Sequence, residues 1–293
     1  MRTLATVACF LTVGSIACAG TIFDRETTSQ CVVQLVTPRI ARTLVDGKDA
    51  ELWVRELPNG QPQPKIEYDL GSGFLVVASN RLFIVTASHV ASTMSADSFV
   101  ILKGQTDESS QIPLGQLSGE ASSTNWICHA EADVAVLSLR PSPELSNAHL
   151  QQRFLPIDIL ETDRAAPSRN APLTVLGFPL GMGSAGKFSP LTKQTHCASD
   201  LVALKRADVP ITSTFFLLED PSIEGYSGGP VLDISLYQLG NMRTTGSGTK
   251  LLGLVHGTSS DRTGGKLAMV VPSFYILETV QKAFINMPSE AAP

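Results

Sequence analysis

The feature of this sequence that most constrains its fold is a succession of short apolar runs rich in β-branched and aromatic residues. Clusters of glycine, proline, asparagine and serine separate these runs. Representative runs are CVVQLV at 31–36, LFIVTA at 82–87, VAVLSL at 134–139 and LLGLVH at 251–256. Because short runs of this composition between turn residues are typical of β-strands, the sequence predicts an all-β protein.

One segment, PSFYILETVQKAFIN at 272–286, predicts a C-terminal α-helix instead. Its apolar residues recur at helical spacing. Those that could share one face are Phe274, Leu277, Val280, Ala283 and Phe284. A polar stretch with two prolines, at 140–152, separates two similar groups of apolar runs. We therefore expect two β-barrels, in residues 20–145 and 146–293, with the helix closing the second.

The composition excludes two classes of protein. With 43% hydrophobic residues in a chain of 293, the protein has enough apolar surface to build a core and is not a disordered chain. The net charge is −5 and no basic cluster is present. Since phosphate binding requires concentrated lysine and arginine, we expect no nucleic-acid partner.

The first segment, MRTLATVACFLTVGSIACAG, has the organisation of a secretory signal peptide. Arg2 precedes an apolar run from Leu4 to Ile16, and Ala17-Cys18-Ala19 provides an A-x-A cleavage site. We expect residues 1–19 to be removed and the mature protein, starting at Gly20, to be exported to the periplasm or secreted.

Two alternatives to the signal peptide are weaker. The apolar run is shorter than the ~20 residues needed to span a bilayer, which disfavours a membrane anchor. A lipoprotein acylated on Cys18 is disfavoured because Ser15 stands where a leucine is usual. No later segment reaches about 18 uninterrupted apolar residues, so we expect no stable membrane insertion after the signal is removed.

Three cysteines, Cys31, Cys128 and Cys197, remain after the signal segment. In an exported protein this odd number allows one disulfide and one free thiol. The pairs Cys128-His129 and His196-Cys197 also resemble zinc ligands, but adjacent residues on a strand point to opposite faces. We therefore favour a disulfide or buried thiols over zinc, and expect neither a metal nor a cofactor.

A possible nucleophile lies in the G-x-S-x-G string at 225–229, centred on Ser227. A serine hydroxyl requires a general base, usually an imidazole that a carboxylate orients. His89 follows the apolar run of FIVTASHV, and Asp133 begins DVAVLSL. We expect His89, Asp133 and Ser227 to form a catalytic triad, with Asp97 as the competing carboxylate. The remaining upstream histidines, His129, His149 and His196, are expected to be structural.

The order of these residues disfavours the nucleophile elbow of an α/β-hydrolase. That fold requires serine, then acid, then histidine, and His256 is the sole histidine after Ser227. The elbow serine should also open a helix, whereas Gly228-Gly229-Pro230 is a poor first helical turn. The following VLDISLY has the composition of a strand.

At these residues the chain resembles the trypsin-like, chymotrypsin-fold serine peptidases. The motifs that carry the resemblance span about residues 70–285 and occur in the family's order; they are GSGFLV at 71–76, LFIVTASHV at 82–90, DVAVLSL at 133–139, GYSGGPV at 225–231 and LLGLVHG at 251–257. VLGFPLG at 175–181 and MVVPSFYI at 269–276 resemble the exported bacterial branch that includes Deg-type and glutamyl endopeptidases.

The resemblance implies two perpendicular, six-stranded antiparallel β-barrels with the site in the cleft between them. His89 and Asp133 would come from the first barrel and Ser227 from the second. The amides of Gly225 and Ser227 would form the oxyanion hole. The implied activity is hydrolysis of internal peptide bonds in a protein or peptide substrate through an acyl-enzyme.

The sequence departs from the family pattern at several points, among them the histidine motif, which reads TASHV rather than the commoner TAAHC or TAGHV. Digestive members have an aspartate before the nucleophile, which binds the N-terminus freed by activation; here that residue is Tyr226. We therefore expect a site that forms without proteolytic activation. Residues 20–68 form a longer lead-in than usual, of one or two strands and a loop. Few residues follow 285, so we expect no appended peptide-binding domain of the Deg type.

The resemblance also indicates a substrate pocket. The residues it places there are Ser222, Val255, His256 and Gly257. In glutamyl endopeptidases a histidine near this strand binds an acidic side chain, but the glycines of GLVHG align Val255 with it. An acidic preference therefore rests on His256 alone. No residue at the expected pocket base, near Pro221 to Ile223, is acidic, which disfavours cleavage after lysine or arginine.

A second class of function stays open from sequence, a protease fold kept as a catalytically silent binding or scaffold protein. Its usual mark is loss of a triad residue, and all three candidates are present here. The sequence thus favours the enzyme and leaves the oligomeric state open.

Overall fold

A computed structural model describes residues 24–45, 48–55, 62–119, 124–234, 236–239, 242–245 and 248–286. The predicted signal peptide, at 1–19, lies outside these residues. The helices are α1 (Arg25–Ser29), α2 (Ser88–Ala91), α3 (Leu114–Ser118), α4 (Pro143–Leu145) and α5 (Ser273–Asn286), with single π or 3-10 turns at Ser146–Leu150, Ile157–Ile159 and Pro179–Gly181.

Within the described residues, the strands form two large sheets and three two-stranded antiparallel sheets. In chain order they are β1 (Val32–Ile40), β2 (Arg42–Val45), β3 (Lys48–Glu51), β4 (Trp53–Arg55), β5 (Pro62–Pro64), β6 (Ile66–Ala78), β7 (Arg81–Thr86), β8 (Phe99–Lys103), β9 (Ser109–Pro113), β10 (Ile127–Cys128), β11 (Ala135–Ser138), β12 (Leu155–Pro156), β13 (Leu173–Gly177), β14 (Leu191–Thr195), β15 (Val202–Lys205), β16 (Thr212–Leu218), β17 (Pro230–Asp233), β18 (Leu236–Leu239), β19 (Met242–Thr245), β20 (Lys250–Ser260) and β21 (Lys266–Pro272).

The first sheet has the order β10-β11-β7-β6-β1-β8-β9, with β12 parallel to β6. Its longest strand, β6, pairs antiparallel with β1 and β7. Phe74, on β6, lies opposite Val32 and Val85, and all three side chains are buried. These β-branched and aromatic side chains suit a pleated, buried surface, so the apolar runs of the sequence become the middle of the sheet.

The second sheet has the order β14-β13-β17-β20-β21-β16-β15. β20 lies between β17 and β21, and the register against β21 shifts between Val255 and Gly257. His256 is thus the extra residue of a β-bulge. Since bulges redirect side chains, this irregularity controls where the His256 ring points.

One apolar cluster joins the two sheets and α5. It contains Phe74 and Val85 from the first sheet and Leu232 and Leu254 from the second. α5 contributes Val280, and the ring of Phe284 packs edge-on against Phe83 of β7 with centroids 5.4 Å apart. The helix that ends the second half of the chain therefore packs across onto the first sheet.

The predicted all-β fold class with two β bodies and a C-terminal helix is confirmed. The sheets have eight and seven strands rather than the expected six each, and the two-residue strands β10 and β12 extend the first sheet. β12 lies beyond the predicted boundary at 145, yet it pairs with β6 of the first sheet.

The lead-in contains more strands than the one or two expected from the sequence: α1 is followed by β1, by the pairs β2–β3 and β4–β5, and by the start of β6. α1 begins with a capping box, in which the Asp24 carboxylate accepts from the Thr27 amide at 2.8 Å. β2 pairs with β3, and β4 pairs with β5. Among the described residues, no helix is both long enough and apolar enough to cross a bilayer.

Candidate active site

His89, Asp133 and Ser227 are presented by three different local structures. His89 lies on the single turn α2, directly after β7. Asp133 lies in the loop that precedes β11, and Ser227 lies in the turns that precede β17. The competing carboxylate, Asp97, is exposed in the turn before β8. The structure thus brings Asp133, rather than Asp97, to His89.

Asp133 holds His89 through both carboxylate oxygens. Nδ1 of His89 lies 2.7 Å from Oδ2, and the backbone N–H of His89 donates to Oδ1 at 2.9 Å. The Asp133 side chain is fully buried, whereas the His89 side chain is 29% exposed. A neutral imidazole that donates from Nδ1 keeps a lone pair on Nε2, so the exposed ring edge is able to accept a proton.

The electrostatics of this pair favour its charged form. Burial would lower the pKa of His89, but the hydrogen bond to Asp133 and the charges of Asp133 and Asp208 outweigh burial and raise it above its ordinary value. Burial would likewise raise the pKa of Asp133, yet hydrogen bonds from His256 and His89 hold it well below its usual range. Asp133 is therefore a permanent anion that stabilises an imidazolium at His89.

Among the described residues, the Ser227 hydroxyl is bonded to a group other than His89. Oγ donates to the backbone carbonyl of His256 at 3.1 Å. The His256 ring in turn lies edge-on to the His89 ring, with centroids 5.6 Å apart. In structures without a substrate, catalytic hydrogen bonds are often long or poorly aligned, and here the Ser227 hydroxyl is bonded to His256 rather than to His89.

The turns around Ser227 require glycine. Gly225 and Gly228 have φ of +96° and +84°. A Cβ on Gly228 would collide with the Ser72 carbonyl and the Thr86 hydroxyl. The Gly228 amide donates to the Val255 carbonyl at 2.7 Å, and the Tyr226 amide donates to Ile223 at 3.0 Å. Across the described chain, the amides of Gly225 and Ser227 make no such bond to protein, which leaves both available to an oxyanion.

Ser72, on β6, fastens this loop to the first sheet. Its amide donates to the Ser227 carbonyl at 2.8 Å, and its hydroxyl donates to the Gly225 carbonyl at 2.6 Å. The same hydroxyl accepts from the Phe178 amide at 2.9 Å. Sequence reasoning did not single out Ser72, although it lies within GSGFLV, a motif that carried the resemblance.

His256, predicted to lie in the substrate pocket, instead contacts Asp133. The bulge in β20 directs its ring so that Nδ1 lies 2.5 Å from Oδ2 of Asp133. Its Nε2 accepts from the Ala207 amide at 3.3 Å. The ring is buried, so the structure removes the one observation that favoured an acidic substrate side chain.

Arg206 is a site residue that the sequence analysis missed. It follows β15, and Nη2 of its buried guanidinium lies 3.2 Å from Oδ1 of Asp133. The guanidinium is also paired with Asp208, at 2.5 Å, and donates to the Glu131 carbonyl at 3.2 Å. An arginine in an unpatterned loop gives no sequence signal for this contact.

His89, Asp133 and His256 also bring three metal-ligand types within 4.8 Å of one another. Two contacts oppose a metal ion there. Arg206 places a guanidinium on the same carboxylate, and a cation would meet its repulsion. A metal on Nδ1 of His256 would force the proton to Nε2, which already accepts from the Ala207 amide. The donor set therefore fits hydrogen bonding better than metal binding.

A cavity beside Tyr226 contains part of the predicted substrate pocket. Ser222 and Val255 line it, as does Lys193, whose Nζ donates to the Pro221 carbonyl at 2.6 Å. Neither His256 nor Gly257 is among its lining residues. Asp220 also lines the cavity, so its lining includes both an acidic and a basic residue.

The cysteines and the other histidines form none of the hydrogen bonds described above. Cys31 and Cys197 are buried free thiols, and Cys128 is an exposed one. His129 pairs with Glu278 at 3.1 Å, and His196 lies 3.7 Å from Glu219. His149 lies in the turn after α4. The two Cys-His pairs are thus engaged in different neighbourhoods.

Comparison with known proteins agrees with this fold. The family model for the trypsin-like peptidase domain matches residues 71–239. Among solved structures, an inactive serine-to-alanine mutant of Rv3671c from M. tuberculosis H37Rv aligns with a TM-score of 0.50 at 17% identity, covering 90% of this chain and 91% of that one. The HtrA-type protease AlgW with a decapeptide aligns with a TM-score of 0.52 at 16% identity, covering 89% of this chain and 66% of AlgW. No curated protein matches the sequence.

The fold and the family match together define a serine peptidase. The chain belongs to the family of trypsin-like peptidases, whose domain model covers more than half of its length. Protein or peptide is accordingly the class of substrate.

Proposed function

We propose that this peptidase is an exported endopeptidase that cleaves internal peptide bonds through an acyl-enzyme on Ser227. His89 is the general base and Asp133 orients it. The observation that carries the proposal is the 2.7 Å contact between Nδ1 of His89 and Oδ2 of Asp133. That contact fixes the tautomer that leaves Nε2 free to accept a proton, beside a loop whose two amides are open.

The proposed reaction uses these groups in sequence. The Ser227 proton passes to Nε2 of His89 as Oγ bonds to the substrate carbonyl carbon, and the amides of Gly225 and Ser227 bind the resulting oxyanion. The His89 imidazolium then protonates the departing amine as the peptide C–N bond breaks. Water, deprotonated by His89, attacks the ester in the second half, and the Ser227 hydroxyl is restored.

We also propose that the site needs no activating cleavage. Tyr226 is 4% exposed and packs in the core of the second sheet. Among the described residues, the loop around it is held by the positive-φ glycines and by the hydrogen bonds of Ser72. The test is to assay protein that carries additional residues before Gly20, which we expect to be active. Activity that appears only after cleavage to a new N-terminus would contradict the proposal.

Export is proposed from residues 1–19 of the sequence alone. The pattern of Arg2, the apolar run and Ala17-Cys18-Ala19 supports it. N-terminal sequencing of the protein recovered from the envelope fraction should begin at Gly20. A chain that retains Met1 in the cytoplasm would contradict export without affecting the proposed chemistry.

Cleavage of a peptide library by the wild type and by Ser227→Ala tests the endopeptidase activity. We expect the wild type to cut within peptides, and the variant to be at least about a thousandfold slower, because loss of the nucleophile leaves only binding and oxyanion contacts. A folded wild type that cuts nothing would favour the catalytically silent binding protein. Equal rates for the two proteins would exclude Ser227.

A further inference from the structure

The Asp133 carboxylate is saturated with hydrogen-bond donors. Oδ1 accepts from the His89 amide and from Nη2 of Arg206, at 2.9 and 3.2 Å. Oδ2 accepts from Nδ1 of His89 and Nδ1 of His256, at 2.7 and 2.5 Å. A carboxylate has about four lone-pair sites, so every site is used. Two of the donors come from the first half of the chain and two from the second.

Arg206 reaches this carboxylate with its guanidinium already fixed. Nε and Nη2 make a two-bond contact with Asp208 at 3.0 and 2.5 Å, and Nη1 donates to the Glu131 carbonyl. Such fork contacts hold the planar group in one orientation. The contact with Glu131 also ties the β15–β16 connection to the loop that carries Asp133.

His256 is fixed in an equally definite state. Its Nε2 accepts from the Ala207 amide, and a backbone N–H is a donor only. The ring proton must therefore sit on Nδ1, where it points at Asp133. Phe215 packs against the ring at 5.3 Å between centroids. Ala207 is adjacent to Arg206, so one short segment supports both second-half donors.

We propose that Arg206 and His256 are positioning residues that hold the Asp133 carboxylate from the second sheet. The orientation of Asp133 toward His89 then depends on these contacts between the two halves of the chain. The inference rests on the roles proposed above for His89, Asp133 and Ser227. It deepens them by adding a donor pair that reaches the catalytic carboxylate from across the cleft.

Arg206 should also influence the pH dependence of activity. The charged and titratable groups around His89 are Asp133, Asp208, Arg206 and the ring of His256, with Cys128 also near Arg206. Within this set the Arg206 charge disfavours protonation of His89 and lowers its pKa. The carboxylates raise the pKa of His89, and their effect is larger. Because the neutral imidazole is the active base, removing Arg206 should move the acid limb of kcat/KM to higher pH.

The first test compares Arg206→Gln with Arg206→Lys, which keeps the charge but loses the fork. Arg42→Gln, in an exposed pair with Asp49, is the control. We expect Arg206→Gln to lower kcat/KM about tenfold or more, since small misplacements of catalytic groups have such effects, and to shift the acid limb upward. Arg206→Lys should have a lower kcat/KM than the wild type but an acid limb at nearly the same pH. Arg42→Gln should match the wild type in both quantities.

The second test compares two isosteric variants of His256. The amide nitrogen of Asn in His256→Asn can occupy the place of Nδ1, whereas His256→Leu has similar size and no donor. We expect His256→Leu to lower kcat about tenfold more than His256→Asn, with little difference in KM. The reason is that the substitution changes the orientation of the Asp133 carboxylate rather than substrate binding.

Titration with a fluorophosphonate distinguishes failure of the proposed function from failure of the positioning inference. The measured quantity is moles of probe bound per mole of folded protein. Wild type that does not react would overturn the proposed function. Suppose instead that the wild type reacts, that the acid limb of kcat/KM lies at the same pH in Arg206→Gln as in Arg206→Lys, and that the two His256 variants have equal kcat. The positioning inference alone is then overturned. Where Arg206→Gln or His256→Leu does not fold, Arg206→Lys decides, since wild-type kinetics in that variant would also overturn the inference.

Discussion

At the scale of single residues, the site depends on hydroxyl and imidazole groups that are each held in one orientation by their hydrogen bonds. Ser72 shows this most clearly, because its buried hydroxyl donates to Gly225 and accepts from Phe178. It thereby links β6 to the loop that carries Ser227. A residue with no part in bond making thus fixes the carbonyl of Gly225, beside the amides proposed to form the oxyanion hole.

Replacing Ser72 with alanine should therefore damage both stability and catalysis. The change leaves a buried carbonyl and a buried amide without partners, and each such group costs about 1–3 kcal/mol. We expect a lower melting temperature and a lower kcat. Ser109→Ala is the matched control, because the Ser109 hydroxyl is buried without a hydrogen-bond partner. Equal effects of the two substitutions on kcat would contradict the role given to Ser72.

At the scale of elements, two backbone irregularities direct the chemistry. The bulge at His256 turns an otherwise alternating strand so that this ring meets Asp133. The two positive-φ glycines of the nucleophile loop leave the amides of Gly225 and Ser227 unpaired within the described chain. The string G-x-S-x-G predicts the second of these features. The first depends on strand register, which no local pattern of residues reveals.

Gly228 supplies the test at this scale. Gly228→Ala combines an unfavourable φ with a collision against Ser72 and Thr86, so we expect loss of most activity and a large fall in melting temperature. Gly186→Ala has a similar φ of +71° but meets no neighbouring atom, and should cost about 1–2 kcal/mol. Thermal unfolding and kcat/KM measured on both variants check this. Full activity in Gly228→Ala would show that the loop has another conformation.

At the scale of the whole molecule, the site is a meeting point of two sheets that share one apolar cluster with α5. The sequence predicted both β bodies, the closing helix and the three candidate triad residues, because short apolar runs and local motifs record these features. It did not predict Arg206, and it assigned His256 to the substrate pocket. Both contacts with Asp133 join residues from opposite halves of the chain, and their proximity arises only from the packed fold.

The coupled pair His89 and Asp133 gives the folded protein a defined pH dependence of stability. The lowered pKa of Asp133 contributes stability that is present above its unfolded pKa of about 3.9 and is lost as pH falls through the folded value. The raised pKa of His89 contributes stability that is present below about 6.5 and is lost as pH rises through the folded value.

Both contributions are complete between about pH 4 and about pH 6.5. We therefore expect the free energy of unfolding in urea to decline as pH rises above that window, and His89→Gln to lack this decline. Lys65→Gln, which removes an exposed pair with Glu67, serves as the comparison and should keep it. The same decline in His89→Gln as in the wild type would assign it to another group.

The central claim is that Ser227 is a nucleophile activated by His89. Its most direct test is peptide mapping by mass spectrometry of the wild type, Ser227→Ala and His89→Ala after reaction with a fluorophosphonate. We predict one adduct per wild-type molecule, located on Ser227, none on Ser227→Ala, and reaction with His89→Ala at least about a hundredfold slower. An adduct on another serine, or equal reaction of His89→Ala and wild type, would contradict the account.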